Sequence, residues 1–500
     1  MKTVVIIGGG LGGLFAGALL AKEGLRVTLI EKNVIVGGGL QSFKRFGEVF
    51  DTGMHVLGGM RKGGSVYRLC QYLGLSDKIR IKDVDAHCAS RLYFAEDGHY
   101  YDIAEGKAGF VNSLAALFPA ERENLQAYVD AIYALSEELD LFYLRPSSGN
   151  LFAHSDDFMM PADQFIAKYI TDSRLRSIVA YMNPSYAGVR NVTPAYVHAV
   201  ISVLHINGQS RFVGGSHLFA EALCDCITAH GGEVLKGNGV KKINTADGKV
   251  TSVVTQDGTT LTADYYISAI HPCEMLKLLD NEKVLPKPYR TRLGDIPSTY
   301  SAFILNIKLK PHSFKYLNHT AYYMSRYDKI WSFADDEDCW PLGFLYMTPP
   351  EEAQGEYSTK LTVVAPMTWS HVRKWQDSTI GHRPVSYEAW KVDCANAIIN
   401  RMEKLYPGFR GIIENVNTAS PLTIRDYYGS KEGCMCGYSK DSHNPVLSVV
   451  PVVTKLPNLF LTGQCNNLHG FCGVPLTAVS TCEAILGMNH ILNKLQHLQP

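Results

Sequence analysis

Three glycines and one acid near the start of the chain have the types and spacing of a dinucleotide site. Gly8, Gly10 and Gly13 fit the GxGxxG pattern. In that pattern the first glycine permits a tight turn, the second lets backbone approach a diphosphate, and the third lets a helix pack closely on a strand. Glu31 follows at the distance where an acid accepts hydrogen bonds from a ribose hydroxyl, about 20 residues on. We therefore predict that this segment binds the diphosphate and a ribose of a dinucleotide.

These residues need a strand before them and a helix after them. The apolar pattern predicts a strand over residues 3–7, a helix over 14–24 and a second strand over 26–31 that ends on the acid. The helix would point its free N–H groups and its positive dipole end at the diphosphate. A glycine turn that only packs a strand against a helix is the alternative, and the acid at the strand end favours binding.

Two further stretches indicate which dinucleotide binds. Residues 36–43 and 50–55 supply a second glycine-rich backbone segment soon after the acid, which suits a cofactor with a long ribityl-isoalloxazine half. Near the other end, residues 459–464 predict a short buried strand ending at a glycine. Residues 470–475 follow, and then a helix over 476–486. We predict that FAD is the cofactor and that both chain ends contact it.

Together these motifs resemble the phytoene desaturase, carotenoid isomerase and retinol saturase group of flavoproteins. The resemblance includes the FDTG-H stretch at 50–55, residues 214–218 and residues 420–423. Leu40 stands where desaturases and amine oxidases have the arginine of their GGR motif, and residues 462–464 read TGQ. Both features are closer to the saturase and isomerase branches.

The resemblance implies an α/β fold, and the order of the predicted elements implies that its domains are interleaved. A Rossmann-type FAD-binding domain, of the amine-oxidase-like kind with two dinucleotide-binding domains, is expected to alternate with an α+β substrate domain. The expected ranges are 1–80, 210–275 and 420–490 for the flavin domain, and 81–209 and 276–419 for the substrate or lid domain.

Local patterns predict several elements within those ranges. Residues 110–144 are helical in pattern, with apolar residues at threes and fours through Leu125, Tyr128, Ile132, Leu135 and Leu139. Further along the chain, the patterns predict a helix over 217–229, turns at 247–248 and 257–258, strands at 301–308 and 360–365, and a helix over 387–405.

The predicted cofactor-binding residues come from the motifs and, for Val240, from the resemblance, which places its backbone against adenine. They are Gly8, Gly10, Leu11, Gly12, Gly13, Glu31, Lys32, Gly38, Gly39, Gln41, Ser42, Thr52, Gly53, Met54, His55, Val240, Gly463, Gln464, Gly473 and Val474.

His55 is the proposed proton-transfer residue, because residues 51–53 are expected near the flavin. A histidine that only hydrogen-bonds the cofactor or its own turn is the alternative. Tyr427, Tyr428 and His469 are weaker candidates.

The predicted activity is FAD-dependent redox chemistry at a C=C or CH–CH bond of a hydrophobic isoprenoid or polyene, with saturase-like reduction preferred. Carotenoid desaturation or cis-trans isomerisation, amine oxidation, and a non-catalytic flavin or lipid carrier are the alternatives. Only one GxGxxG stands in a strand-turn-helix setting, so the sequence gives no sign of a separate nicotinamide domain. NAD(P)H would therefore act as a transient electron donor to the flavin.

The composition of the chain limits the kinds of partner and ligand that we expect. The formal net charge is zero, so the sequence does not indicate nucleic-acid binding. The twelve cysteines lack zinc-knuckle or disulfide spacing, and no metal is expected. We expect a cytoplasmic protein, since neither a secretory signal nor an apolar stretch of about 18 residues is present. Peripheral membrane contact through residues 110–144 would suit an apolar substrate. The sequence predicts no oligomeric state.

Overall fold

The computed structural model describes residues 1–53, 56–147, 154–334 and 338–498. Its helices, in chain order, are α1 Leu11–Lys22, α2 Ser65–Leu73, α3 Lys107–Ala115, α4 Arg122–Glu137, α5 Ala162–Tyr169, α6 Ser173–Val179, α7 Ala195–Ile206, α8 His217–Ala229, α9 Pro272–Leu278, α10 Lys287–Asp295, α11 Val385–Leu405, α12 Phe409–Ile412, α13 Pro421–Tyr428, α14 Pro445–Ser448, α15 Gly470–Leu486 and α16 His490–Gln496.

The strands are β1 Thr3–Ile7, β2 Arg26–Glu31, β3 Ser42–Arg45, β4 Glu48–Asp51, β5 Leu57–Gly58, β6 Ile81–Asp83, β7 Ser90–Phe94, β8 His99–Ile103, β9 Gln209–Phe212, β10 Glu233–Lys236, β11 Val240–Ala246, β12 Lys249–Thr255, β13 Thr260–Leu261, β14 Tyr265–Ser268, β15 Ser301–Leu309, β16 Thr320–Met324, β17 Gly343–Met347, β18 Lys360–Met367, β19 Ile413–Ala419 and β20 Leu459–Leu461.

A five-stranded parallel sheet carries the nucleotide-binding pattern. Its order is β10-β2-β1-β14-β20, and it unites both ends of the chain. The predicted strand, helix and strand around the first glycines are confirmed as β1, α1 and β2. Helix α1 is apolar and buried all round, packing against α8 and α15. The strand order reverses at β1, so the carboxyl edge there forms the crevice where such sheets bind ligands.

A seven-stranded mixed sheet brings together two distant parts of the chain. Its order is β19-β15-β18-β17-β16-β7-β8, and β7 pairs with β16 in parallel while the other pairs are antiparallel. Three small sheets, β11-β12-β13, β3-β4 and β5-β9-β6, complete the β structure of the described residues. The parallel and mixed sheets together confirm the predicted α/β fold class.

The helical stretch predicted over 110–144 divides into two α-helices. Helix α3 ends at Ala115 and α4 begins at Arg122, with Pro119 between them. Proline has no backbone N–H and clashes with the preceding turn, so a continuous helix is disfavoured there. The apolar positions from Leu125 to Leu135 are buried in α4 as predicted, whereas Leu139 lies beyond its end.

The last long helix begins earlier than predicted. Helix α15 starts at Gly470, six residues before the predicted start at Leu476, and Pro475 lies inside it. In the described residues, no single helix has both the length and the apolar composition to cross a membrane. Helices α15 and α16 satisfy the test only as a pair bent by 118°.

Candidate cofactor and substrate site

The first glycine turn is closely constrained by its own backbone. Gly8 has a φ of +103° and donates its N–H to the Ile30 carbonyl at 2.8 Å, which joins the turn to β2. A Cβ on Gly13 would lie 2.0 Å from the Gly8 carbonyl oxygen. Glycine at these positions is therefore a steric requirement of the turn, as the motif predicts.

Two other backbone segments meet this turn at the start of α1. Gly37 donates its N–H to the Gly9 carbonyl at 2.7 Å, and a Cβ on Gly38 would lie 3.2 Å from the Gly10 Cα. From the other end of the chain, the Gly463 Cα lies 3.1 Å from where a Cβ on Gly12 would be. The structure thus brings three predicted glycine segments together.

This arrangement fits a diphosphate. A Cβ on Gly10 or on Gly463 would meet no atom of the described residues within 4 Å, so both face open space. The N-terminus of α1 has no side-chain cap and no acid in its first turn. At the same sheet edge, Ser268 Oγ and Thr462 Oγ1 are enclosed and lack a hydrogen-bond partner among the described residues. Free N–H groups, a helix dipole and open space are what an anionic cofactor needs.

Glu31 ends β2 with a buried carboxylate. Its Oε2 accepts the Gly9 N–H at 2.7 Å and its Oε1 accepts the Asn33 N–H at 2.8 Å. A carboxylate offers about four lone-pair sites. Acceptor capacity therefore remains for a ribose hydroxyl.

Four predicted polar residues use their side chains within the protein: Gln41, Ser42 and Thr52 hold the second glycine segment, and Lys32 bonds to α13. Lys32 donates to the Asp426 carbonyl at 3.2 Å, and Gln41 donates to the Ile35 carbonyl at 2.7 Å. Ser42 donates to the Asp51 carboxylate at 2.6 Å, and Thr52 donates to the Gly39 carbonyl at 3.1 Å. What these four can offer a cofactor is chiefly the backbone they position.

The remaining predicted residues occupy several places. Val240 begins β11 and directly follows Gly239. A Cβ built on Gly239 would lie 2.7 Å from the Lys32 Cβ. Val474 lies in α15, its Cγ1 3.4 Å from a Cβ built on Gly12. Met54 and His55 fall outside the described residues.

Residues that sequence reasoning missed join the second glycine segment to α8. Asp51 Oδ1 accepts both the Ser42 hydroxyl and the Ser216 backbone N–H, the latter at 2.9 Å. Ser216 Oγ donates to the Leu40 carbonyl at 2.9 Å, and His217 Nδ1 lies 2.9 Å from Ser42 Oγ. Asp51 and Ser216 both belong to quoted motifs, so the signal was present although their contact was not predictable.

The two tyrosine candidates differ in their exposure and in their contacts with the site. Tyr427 is exposed, whereas Tyr428 donates its hydroxyl to the Thr52 carbonyl at 3.2 Å and lies against Gly39. Burial raises the pKa of Tyr428 to about 12, so the phenol is neutral at physiological pH. Tyr428 can therefore form part of the wall of the site, while its one O–H is donated to Thr52.

A small, partly open cavity lies beside the segment that follows Gly463. Its volume is about 20 Å³, and its apolar walls come from α7, including Val197, Val200 and Leu204, and from Leu476 of α15. Its polar lining includes Lys440, Asn467 and His469. The cavity thus borders the segment that follows Gly463, and Gly473 is the one predicted cofactor-binding residue in its lining.

Lys440 and His469 are electrostatically coupled in this cavity. Lys440 is buried and donates from Nζ to the Ser448 and Asn466 carbonyls at 2.8 and 2.6 Å. Burial lowers the pKa of Lys440 to about 8. Burial, and then the nearby Lys440 charge, lower the pKa of His469 to about 4, which keeps the imidazole neutral. His469 was a weaker sequence candidate, whereas Lys440 stands in no motif and was missed.

Known proteins resemble the chain over nearly its full length. The human (Homo sapiens) all-trans-retinol 13,14-reductase is 25% identical over 97% of this chain and 86% of its own length. The chloroplastic prolycopene isomerase of Arabidopsis thaliana is 24% identical over 97% of this chain and 82% of its own length. Among solved structures, an oxidoreductase from Methanosarcina mazei matches with a TM-score of 0.64 and 18% identity, covering 97% of this chain and all of that one.

The family model for flavin containing amine oxidoreductases matches residues 11–312, well over half of the chain. That match agrees with the glycine site, the parallel sheet and the fold of the solved structure. FAD is the cofactor, and the resemblance drawn from the motifs is confirmed. This chain belongs to the flavin containing amine oxidoreductase family.

Proposed function

We propose that the protein is a flavoprotein reductase that saturates a C=C bond of a hydrophobic, isoprenoid-like polyene. The observation that carries the proposal is the glycine site for FAD, whose terminal segment also borders the cavity lined by aliphatic residues of α7 and α15. The similarity to retinol 13,14-reductases supports reduction over other flavin chemistry. The similarity to a prolycopene isomerase makes isomerisation the second candidate.

We assign the cofactor contacts by segment. Gly8, Gly10, Leu11, Gly12 and Gly13 would hold the diphosphate at the start of α1, and Glu31 would hold a ribose. The backbone of Lys32 and Val240 would border the adenine. Residues 38–42 and 52–54, with Gly463, Gln464, Gly473 and Val474, would line the ribityl and isoalloxazine half.

When bound, FAD supplies hydride transfer at its isoalloxazine ring. The chain would orient the polyene, exclude water and provide the proton for the second carbon. We retain His55 as the proposed proton donor. His55→Ala should reduce turnover far more than flavin content, and an equal loss of both would assign His55 to cofactor binding.

The wider organisation follows the same proposal. We place the flavin domain in 1–80, 210–275 and 420–490, and the substrate domain in 81–209 and 276–419. The contribution of β7 and β8 to the sheet of β15 to β19 supports this interleaving. NAD(P)H is the proposed transient reductant. Peripheral contact with a membrane from the cytoplasm would give access to an apolar substrate.

The test is an anaerobic flavin titration with product analysis. Purified protein is titrated with NAD(P)H and dithionite, then with retinol or a carotenoid, and organic extracts are analysed by mass. Reoxidation of the flavin by the polyene, with a product heavier by two hydrogens, supports the reductase. Flavin reduction by the lipid, with a lighter product, means a desaturase. Unchanged mass with altered retention means an isomerase, and a lack of bound flavin after reconstitution overturns the proposal.

A further inference from the structure

A short segment before β20 exposes several apolar side chains. Ser448 is the only polar residue in residues 445–453, a stretch that includes α14. Val446, Val449 and Val453 in this stretch are nevertheless 74%, 41% and 51% exposed, and together they form the valine surface. Exposed apolar residues that cluster in this way, unlike single scattered ones, mark a contact site for a protein or a membrane.

Hydrogen bonds fix the backbone of this segment to the body of the protein. Arg292 donates from Nη2 to the Val446 carbonyl at 2.6 Å and also to the Val449 carbonyl, which brings these two residues together. Asn466 donates from Nδ2 to the Val450 carbonyl at 3.0 Å, and the Val450 side chain is buried in the core. The valine surface is therefore held in an outward position by buried neighbours.

The same segment is bonded to the chain that forms the candidate site. Lys440, which lines the cavity, donates from Nζ to the Ser448 carbonyl at 2.8 Å. Leu461 ends β20 two residues before Gly463 and donates its N–H to the Val452 carbonyl at 2.7 Å. The exposed valines are thus separated from the terminal glycine segment by one layer of hydrogen-bonded backbone.

Basic residues of α10 flank the valine surface. The helix carries Lys287, Arg290 and Arg292 against a single acid, Asp295. Arg292 contacts the valine segment directly, and Lys287 is exposed. Arg290 pairs with Glu282 at 2.7 Å. Apolar side chains beside basic ones suit a membrane with anionic lipids, because the apolar groups enter the headgroup region while the cations attract the phosphates.

We propose that the valine surface binds the protein to an anionic membrane in which its apolar substrate is dissolved. This inference rests on the proposed function, which includes peripheral membrane contact, and names the surface that makes the contact. Residues 110–144, which the sequence suggested for that role, are less suitable. Most of their apolar side chains are buried, and Leu117 is the only large one that is exposed.

The test is sedimentation of the FAD-loaded protein with lipid vesicles, in the absence of any polyene. The vesicles are made of phosphatidylcholine alone or of phosphatidylcholine mixed with phosphatidylglycerol. We expect stronger binding to the mixed vesicles and weaker binding as salt is added, because salt screens the basic residues of α10. A wild type that binds neither kind of vesicle overturns the inference, and equal binding to both kinds overturns the role of α10.

A double variant tests the valine surface itself. Val446→Asp combined with Val449→Asp should reduce vesicle binding at least about tenfold, because a carboxylate resists transfer out of water. Val446→Asp alone, at the most exposed of the three positions, should give a smaller loss. Flavin content and the thermal midpoint should stay at the wild-type values, because both side chains already face solvent.

Val385→Asp combined with Val392→Asp is the matched control. These two valines of α11 are also exposed, and the change in net charge is the same. The control should bind vesicles like the wild type. Equal losses in the two double variants would mean that added negative charge alone weakens binding, and unchanged binding in the first would place the contact elsewhere. Either result overturns the inference.

A second copy of the chain is the other occupant that the measurements distinguish. Sedimentation velocity without vesicles would then show a wild-type dimer that the Val446→Asp and Val449→Asp changes dissociate, and vesicles would bind neither protein. That result overturns the membrane assignment. The vesicle assay contains no polyene, and the mass assay above can use a polyene in detergent, so each proposal can fail alone.

Discussion

Gly10 and Gly12 stand two residues apart in the glycine turn and have different surroundings. A Cβ on Gly10 would enter open space, and its φ of −74° suits any residue. A Cβ on Gly12 would press on the Gly463 backbone. We expect Gly10→Ala to cost the apoprotein about 1 kcal/mol or less, as a poorer N-cap, yet to weaken FAD binding at least about tenfold by filling the diphosphate space. Gly12→Ala should impair both stability and FAD binding.

The measurements are the flavin-to-protein ratio after reconstitution and urea unfolding of the apoprotein. Gly294→Ala in α10 is the control, because a Cβ there also meets no atom of the described chain within 4 Å. It should leave FAD affinity unchanged. If Gly10→Ala binds FAD like the wild type, the diphosphate does not occupy that space.

The buried side chain of His198 should make the free energy of unfolding depend on pH. It is fully buried, with the Tyr128 hydroxyl 2.7 Å from Nε2 and the Tyr186 hydroxyl 3.0 Å from Nδ1. Burial lowers the pKa of His198 to about 3. The unfolded chain therefore binds the proton more readily between about pH 6.5 and 3, so this contribution to stability is lost as pH falls through that window.

The comparison with His198→Gln isolates this effect. Glutamine can still donate and accept, but it cannot titrate. Between pH 6 and 4 the free energy of unfolding of the wild type should fall more steeply, by up to about 1.4 kcal/mol per pH unit. Urea unfolding at several pH values measures both slopes, and parallel curves would contradict the prediction.

At the scale of elements, Arg211 joins β9 to the seven-stranded sheet. The guanidinium is buried and donates to the Leu317 and Thr348 carbonyls at 2.9 and 3.2 Å and to Thr320 Oγ1 at 3.3 Å. Arg211→Met would remove this donor from all three acceptors, of which the Leu317 carbonyl would keep only the Thr348 hydroxyl at 3.3 Å. We expect a loss of about 3 kcal/mol in the free energy of unfolding by urea.

Arg80→Gln is the control for loss of an arginine in the same region. Arg80 pairs with Glu352, but both side chains are more than half exposed. Exposed pairs contribute about 0–1 kcal/mol because water and salt screen them. Similar losses in the two variants would mean that Arg211 contributes no more than a surface charge.

Elements with a strong local pattern were predictable, whereas those that depend on distant contacts were not. Helix α8 has the predicted bounds because a glycine pair precedes it at 214–215 and another follows it at 231–232. Helix α15 was predicted too short, because Gly470, Gly473 and Pro475 resemble a turn. Gly473 is needed there for another reason: a Cβ would lie 2.7 Å from the Leu468 Cβ. The parallel pairing of β7 with β16 has no local signal at all.

At the scale of the whole molecule, the glycine site was predictable because its motif dictates geometry. The carboxyl ends of β1, β14 and β20 share one sheet edge, so segments from both chain ends meet there. The cavity was not predictable. The residues of α7 that line it have the same apolar pattern as those that fill the core, and no motif marks Lys440 as a buried lining residue.

Because this site joins both ends of the chain, FAD should stabilise the molecule as a whole. A ligand that binds only the folded state contributes about 2.7 kcal/mol at a free concentration of 100 times its Kd. Removal of FAD should therefore lower the thermal midpoint, and added FAD should restore it in proportion to the logarithm of its concentration. Gly10→Ala should unfold at the midpoint of the wild-type apoprotein or slightly below it, and respond weakly to added FAD. Scanning calorimetry measures both proteins, and an equal response would show that the stabilising flavin binds elsewhere than at the turn between β1 and α1.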